Sequence, residues 1–351
     1  MNAIKTMHRW LGLGLAIVVM LVAATGVLLV WKKEYLWLSI PSARELPAEN
    51  INLDEVVSRI LNHYEQHEVL FTRFYYDELS IHKVWLDKRR YAYHDQYGEQ
   101  IQVWSNNERF EDWLLDLHHR LLAGNSVGLN IVGFSGLLMI PLVLLGFVLW
   151  WSWRRSFSFS LFPKTSRLGH LRKTHAETGV TILLPLLVIV VSGVILVYPS
   201  ESRWLLRDAF QEHPYEPLIS KIQAVEENSE LTDWAKALQR VKREFPEGKV
   251  KWMSLPSAES RGFAIGVQEA ASWDRMGRSQ IKFNGNEWLL VEQDRQGKAH
   301  QLIDFAYPLH TGKLPIWYRF FLSAVGMLLF WSCLIGIVVF FKRRSKLKQV
   351  Y

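Results

Sequence analysis

The sequence predicts a membrane protein: four transmembrane α-helices in two parallel repeats, with two extracytoplasmic α+β units. Three observations carry this. Four apolar runs, at about 10–31, 129–153, 179–198 and 317–341, are each long enough to cross a bilayer, which takes about 20 residues. Two long polar segments, about 32–117 and 199–309, separate the first run from the second and the third from the fourth. The same ordered features also occur twice along the chain.

The first run opens on His8, followed by Gly12 and Gly26; the third opens on His175, followed by Gly179 and Gly193. Both sets share one spacing, four residues and then fourteen, which returns to one helix face at 3.6 residues per turn. A histidine at the foot of a membrane helix, with a strip free of side chains above it, leaves room for something flat. The second and fourth runs match too. Leu117-His118-His119-Arg120 leads into one and Leu309-His310 into the other. Two glycines ten apart follow in each, Gly136 and Gly146, then Gly326 and Gly336. The whole chain reads as helix, outer unit, helix, twice over, with the halves related by an axis along the membrane normal.

Charge sets the orientation. The formal net charge is +7, and much of it lies beside the apolar runs. The short loop between the second and third runs carries Arg154, Arg155, Lys164, Arg167, Arg172 and Lys173; the C-terminal tail carries Lys342, Arg343, Arg344, Lys346 and Lys348. Short basic loops stay in the cytoplasm, so both termini are expected inside and both long segments outside. Lys32 and Lys33 run against this pattern and are outvoted. The expected divisions are 1–31, 32–117, 118–153, 154–174, 175–198, 199–309, 310–341 and 342–351. The first run is too long for a signal-peptide core and has no clear cleavage site, so it reads as an anchor.

Within the outer segments a helix is expected over 53–66, then strands at 71–76, 83–86, 90–94 and 100–104. The second segment repeats this with a helix over 232–245, capped by Thr232, and strands at 250–255, 263–267, 279–283 and 287–292. The turns at 95–98 and 294–297 correspond.

Several function classes drop out. No separate basic domain supports nucleic-acid binding. The single cysteine, Cys333, excludes a disulfide framework, a cysteine zinc site and an iron–sulfur cluster. No dinucleotide fingerprint and no P-loop is present, so an electron donor must be another protein, such as a cytoplasmic reductase, or a membrane quinol.

Of the twelve histidines, His63, His67, His82, His94, His170, His213 and His300 read as solvated. His8, His175, His310 and one of His118 or His119 stand where polar segments meet crossings, each with a repeat partner. Two lie on the inner side and two on the outer, which no single ion can bridge. Two stacked sites, each taking one histidine from each half, satisfy the symmetry. Two histidines are too few for zinc, whereas haem needs only axial ligands. The expected pairs are His8 with His175, and His118 or His119 with His310. Without Cys-x-x-Cys-His the haem is expected as haem b, two per chain. Arg9, Arg120, Arg172, Lys173 and Lys313 flank these histidines and suit either haem propionates or anchoring at the membrane surface.

The paired His…Gly…Gly helices, the LHHRLLAGNSVG…GFVLWW segment and the PLHTGKLP…GIVVFF segment resemble the PepSY-associated transmembrane helix family, over nearly the whole chain. The outer units resemble PepSY domains. The family includes iron-regulated inner-membrane proteins of Gram-negative bacteria, some of them similar to haem-bearing ferric-siderophore reductases. The resemblance implies electrons crossing the inner membrane to reduce ferric iron, held by a siderophore, in the periplasm. The doubled His118-His119 departs from the pattern. Two other readings compete: a membrane-anchored binding or regulatory module, and an iron or siderophore transporter, which the lack of acidic residues inside the runs weakens.

Overall fold

A computed structural model describes residues 2–48, 51–65, 68–212, 218–221, 234–255, 263–270, 277, 279–283, 288–292 and 297–348. In chain order the helices and strands are α1 (Asn2–Leu29), α2 (Lys32–Ser39), α3 (Leu53–Asn62), β1 (Val69–Arg73), β2 (Ile81–Leu86), β3 (Arg90–Asp95), β4 (Gln100–Ser105), α4 (Phe110–Arg120) and α5 (Leu129–Trp151). Then come α6 (Leu168–Thr181), α7 (Leu183–Val197), α8 (Pro199–Phe210), β5 (Leu218–Lys221), α9 (Trp234–Glu244), β6 (Lys249–Ser254), β7 (Phe263–Gln268), β8 (Ser279–Phe283), β9 (Trp288–Glu292), α10 (Lys298–Thr311) and α11 (Ile316–Lys348). They fall into two compact units. A helical unit comprises 1–32, 110–204 and 306–351; an α+β unit comprises 33–109 and 205–305.

In the helical unit, three stretches are long and apolar enough to cross a membrane: Asn2–Leu29, Gly124–Trp151 and Ile316–Arg344. The expected third crossing, 179–198, is instead a pair, α6 and α7, bent by 62° at Ile182. The cause lies just beyond. Pro185 has no N–H to give the Thr181 carbonyl, and its ring crowds that oxygen. Helix α1 packs on α5 and α11, α5 on α6 and α7, and α6 on α11, closing a ring of helices. Leu15, Val19, Met139, Leu142, Ile182, Leu186 and Val325 fill its middle with aliphatic side chains. The 154–167 loop is tied down. The buried Glu177 carboxylate accepts from the backbone N–H of Ser158 and Ser160, at 3.1 and 2.5 Å, and the Trp331 indole donates to the Leu161 carbonyl at 3.0 Å.

Lys32, which ran against the charge pattern, stands 4.0 Å from Asp112 with both side chains nearly buried. Its charge is compensated locally.

The α+β unit holds one antiparallel sheet of nine strands, in the order β4-β3-β2-β1-β6-β7-β8-β9-β5. Each long polar segment contributes a four-stranded meander behind a helix, α3 or α9. The two meanders join where β1 pairs with β6, Thr72 opposite Met253. Helices α3 and α9 cover the same face: Val56 and Ile60 pack on Val84 and Ala92, while Leu238 and Val241 pack on Met253, Ile265 and Ile281. The strand expected over 71–76 ends at Arg73, because Tyr75 takes a left-handed conformation, φ 48°, and starts a single 3₁₀ turn. Strand β5, which pairs with β9, and the helices α2 and α8 were not expected. Thr232 and most of the turn at 294–297 lie outside the described residues, as do His67 and His213.

The reading of His82 and His94 as solvated is corrected: both are fully buried. They face each other across β2 and β3. There the alternation places them on the side that α3 covers, and polar partners make their burial tolerable. His63 and His170 are exposed, as expected.

Candidate functional site

The four membrane-end histidines meet in two pairs. The His8 and His175 rings have centres 6.1 Å apart, and the His118 and His310 rings 6.2 Å apart. A metal–imidazole bond is about 2.0 Å and a ring nitrogen lies about 1.1 Å from its ring centre, so two rings on opposite sides of one metal have centres about 6.2 Å apart. Both pairs match that spacing. His118 faces His310; His119 is exposed, with its ring 5.6 Å from that of His118. Of the doubled histidines, the structure pairs His118 with His310.

Each ring rests on a neighbouring helix in one way. His8 Nδ1 donates to the Leu142 carbonyl of α5 at 3.1 Å, and His175 Nδ1 to the Ser332 carbonyl of α11 at 2.9 Å. His310 Nδ1 donates to the Ile189 carbonyl of α7 at 3.1 Å, and the Val22 carbonyl of α1 supports His118. A glycine follows each carbonyl by four residues: Gly146, Gly336, Gly193 and Gly26. The spacing has a mechanical reason. A helical side chain at position i+4 leans back over the carbonyl at i. Glycine there uncovers the oxygen and lets an imidazole lie flat on the helix. A Cβ on Gly26, Gly146, Gly193 or Gly336 would stand 3.1, 3.1, 2.9 or 3.2 Å from the nearest ring atom, Cε1 in every case.

Three hydroxyls strengthen these contacts. Thr25 Oγ1 accepts from His118 Nδ1 at 3.0 Å, Ser192 Oγ lies 3.3 Å from His310 Nδ1, and Ser332 Oγ lies 3.1 Å from His175 Nδ1. Position 142 is leucine, so His8 has the carbonyl alone. These hydroxyls and carbonyls escaped the sequence reading. The signal was present in Thr25-Gly26 and Ser192-Gly193, a hydroxyl before each glycine.

All hydrogen bonds found to the four rings are made at Nδ1, so the proton sits there and Nε2 keeps its lone pair. That is the state of a metal-binding histidine, oriented through its other nitrogen. Among the described residues no three His, Cys, Asp or Glu side chains are grouped to hold a bare metal ion. The pairs therefore suit a metal that brings its remaining ligands with it, as haem iron does.

The glycines expected to clear space divide into two kinds. Gly26 and Gly193 carry an imidazole each. Gly179 has nothing within 4 Å of a Cβ position, and Gly12 meets only a Leu142 methyl at 3.6 Å. These two stand one turn above His175 and His8, where a flat group would lie. The flanking cations are placed as follows. The Arg9 guanidinium lies 5.7 Å from the Trp10 ring centre, Lys173 lies 3.6 Å from Glu177, Arg120 lies 2.8 Å from Asp116, and Lys313 lies 5.2 Å from the Tyr307 ring centre. Among the described residues, Nε of Arg9, next in sequence to His8, and Nε of Arg120, two residues after His118, are buried without a hydrogen-bond partner, as are those of Arg90, Arg203 and Arg240. Buried donors of this kind call for an acceptor.

His8 and Gly26 belong to different pairs on one unbroken helix, 18 residues apart. At 1.5 Å per residue that is about 27 Å, close to the about 30 Å of a bilayer core. The pairs thus stand near opposite ends of α1, with the aliphatic layer between them. No curated protein matches the chain. Residues 6–343, almost its whole length, match the family model described as PepSY-associated TM region, and this multi-pass membrane protein belongs to that family.

Proposed function

We propose that the chain is an inner-membrane di-haem oxidoreductase that passes electrons across the membrane to reduce ferric iron, held by a siderophore, on the periplasmic side. The observation that carries the proposal is the twofold occurrence of paired imidazoles, with ring centres 6.1 and 6.2 Å apart, that could together hold a haem. In this reading the chain is two parallel repeats with two PepSY-like units, and both termini are cytoplasmic.

Two haem b groups fit the residues present. His8 and His175 would hold one, His118 and His310 the other, each through Nε2. When bound, haem supplies a reversible one-electron change at iron. The protein's part is to hold and orient. The carbonyls of Val22, Leu142, Ile189 and Ser332 fix the tautomer, and the four glycines admit the rings. The aliphatic layer keeps water from the space between the sites. Arg9, Lys173 and Arg120 are the cations for propionates. The donor is a cytoplasmic reductase or a membrane quinol. Ferrous iron binds hard-oxygen chelators far more weakly than ferric iron, so reduction releases the metal.

The test is direct. Purified protein should show a low-spin b-type spectrum and yield close to two protohaems per chain. Chemically reduced protein should then be reoxidised by a ferric siderophore, with a ferrous-specific dye developing colour. Well-folded protein from haem-replete cells with no haem would end the proposal. A phosphatase joined after Tyr351 should be inactive; an active one would reverse the direction of flow.

A further inference from the structure

The two faces of the nine-stranded sheet differ sharply. One is the core beneath α3 and α9. On the other, five aromatic residues form a row across five adjacent strands: Trp252 on β6, Phe71 on β1, Trp85 on β2, Tyr91 on β3 and Trp104 on β4. Neighbouring ring centres are 5.5, 5.1, 6.3 and 6.0 Å apart. Cations lie in the next row. Lys83, itself buried, holds Nζ 4.9–5.7 Å from the centres of five rings, among them Trp85, Tyr91 and Trp104, and so acts on the rings from within. The Arg109 guanidinium lies 5.3 Å from Trp104, and Arg73 stands opposite Lys83 in the register of β1 and β2.

Packing alone does not account for the row. The segment bearing Leu36, Ile40 and Ala43 buries its Trp104 end, but Phe71, Trp85, Tyr91 and Trp252 stay part-exposed. The second meander offers an internal control. The approximate twofold at the β1–β6 pairing relates Phe71 to Trp252, Trp85 to Gly266, Lys83 to Ala264 and Tyr91 to Gln280. That meander forms the same four-stranded sheet with a glycine and a glutamine where the first has Trp85 and Tyr91.

Rings backed by cations have their π-faces drawn toward the positive charge. Such rings stack best on electron-rich aromatic partners, and the cations favour negative charge. We propose that this face binds an aromatic, polyanionic ferric chelate of the tris-catecholate kind, stacked on Phe71, Trp85 and Trp252 and attracted by the part-exposed Arg73. That the aromatic anion carries iron rests on the function proposed above; that it is aromatic and anionic rests on the sheet.

Gallium(III) tris(2,3-dihydroxybenzoate) serves as the probe, because gallium takes the place of ferric iron and is not reduced. Titrated calorimetrically into the full-length protein, it should bind at least tenfold more tightly than a gallium trihydroxamate. Affinity should fall with salt. Trp85→Leu should weaken binding about tenfold or more, as loss of a stacking ring does. Arg73→Gln, at a part-exposed position that tolerates the change, should weaken it and flatten the salt dependence. Equal affinity for the two gallium complexes would overturn the proposal, as would unchanged binding in Arg73→Gln and in a Trp85→Leu protein that melts like the parent. Haem-loaded protein that ignores the catecholate complex would defeat this inference alone. Haem-free protein that binds it would defeat only the redox function.

Discussion

Facing histidines occur in both units, and the two settings are chemically opposite. In the helical unit each of the four paired rings is tied through Nδ1, and among the described residues no hydrogen bond is found at their Nε2. In the α+β unit both nitrogens of both rings are engaged. His82 Nδ1 accepts from the Tyr75 N–H at 3.2 Å, and its Nε2 donates to the Gln96 carbonyl at 3.3 Å. His94 Nδ1 donates to the Gly98 carbonyl at 2.8 Å, and its Nε2 accepts from the Tyr64 hydroxyl at 2.7 Å. Burial therefore does not separate a ligand histidine from a structural one. The unused nitrogen does.

The largest expected effect breaks that distinction in the membrane. His310→Ala or His118→Ala should remove or convert to high spin one haem of two and leave the His8–His175 site intact, read as a halved low-spin absorbance. Loss of both haems from every single replacement would mean a different ligand set. The next effect falls on the α+β unit. Burial lowers the pKa of His82 and of His94 to about 4, against an ordinary value of about 6.5. The folded form then binds fewer protons than the unfolded form between these limits. Stability is complete above pH ~6.5, declines as pH falls, and stops declining below about 4, by up to about 3 kcal/mol per ring. Thermal melts of this unit should shift down across that window. A flat profile would mean that the folded rings take up protons over the same range as the unfolded ones.

A smaller effect belongs to the glycines. Gly146→Ala or Gly336→Ala places a methyl against an imidazole, an overpacking that costs about 1–3 kcal/mol. Haem affinity at the His8–His175 site should drop roughly tenfold in a titration of the apoprotein, with the other site unchanged. Smallest is Ser192→Ala. The Ile189 carbonyl still holds His310, so haem content should stay near two. The loss should appear only as altered low-spin spectroscopic parameters of one haem. Loss of the haem itself would mean that the hydroxyl, not the carbonyl, sets the ring.

Much of this was legible in the sequence because it repeats. Position and duplication singled out His8, His175 and His310, and the apolar runs placed α1, α5 and α11. What escaped has a common physical character. The Gly26, Gly146, Gly193 and Gly336 contacts depend on which helix neighbours which, and spacing within one helix does not reveal that. The break at Ile182 hid inside a continuous apolar run, where hydropathy is blind to a missing N–H. His82 and His94 looked solvated because they sit in a polar segment; the groups that permit their burial are the backbone of Tyr75, Gln96 and Gly98 and the Tyr64 hydroxyl, which no local side-chain pattern reveals. Strand β5 and the joining of the two meanders through β1 and β6 are non-local pairings with no local signature.

The placement of the four imidazole rests has a consequence for assembly. His8 lies on α5 and His118 on α1, both in the first half of the chain; His175 lies on α11 and His310 on α7, both in the second. Each half therefore holds its own two imidazoles, and each pair takes one ring from each half. The metal groups would then be rivets along a seam, one near each side of the bilayer. A chain cut within the 154–167 loop should be restored by mixing its fragments with haem.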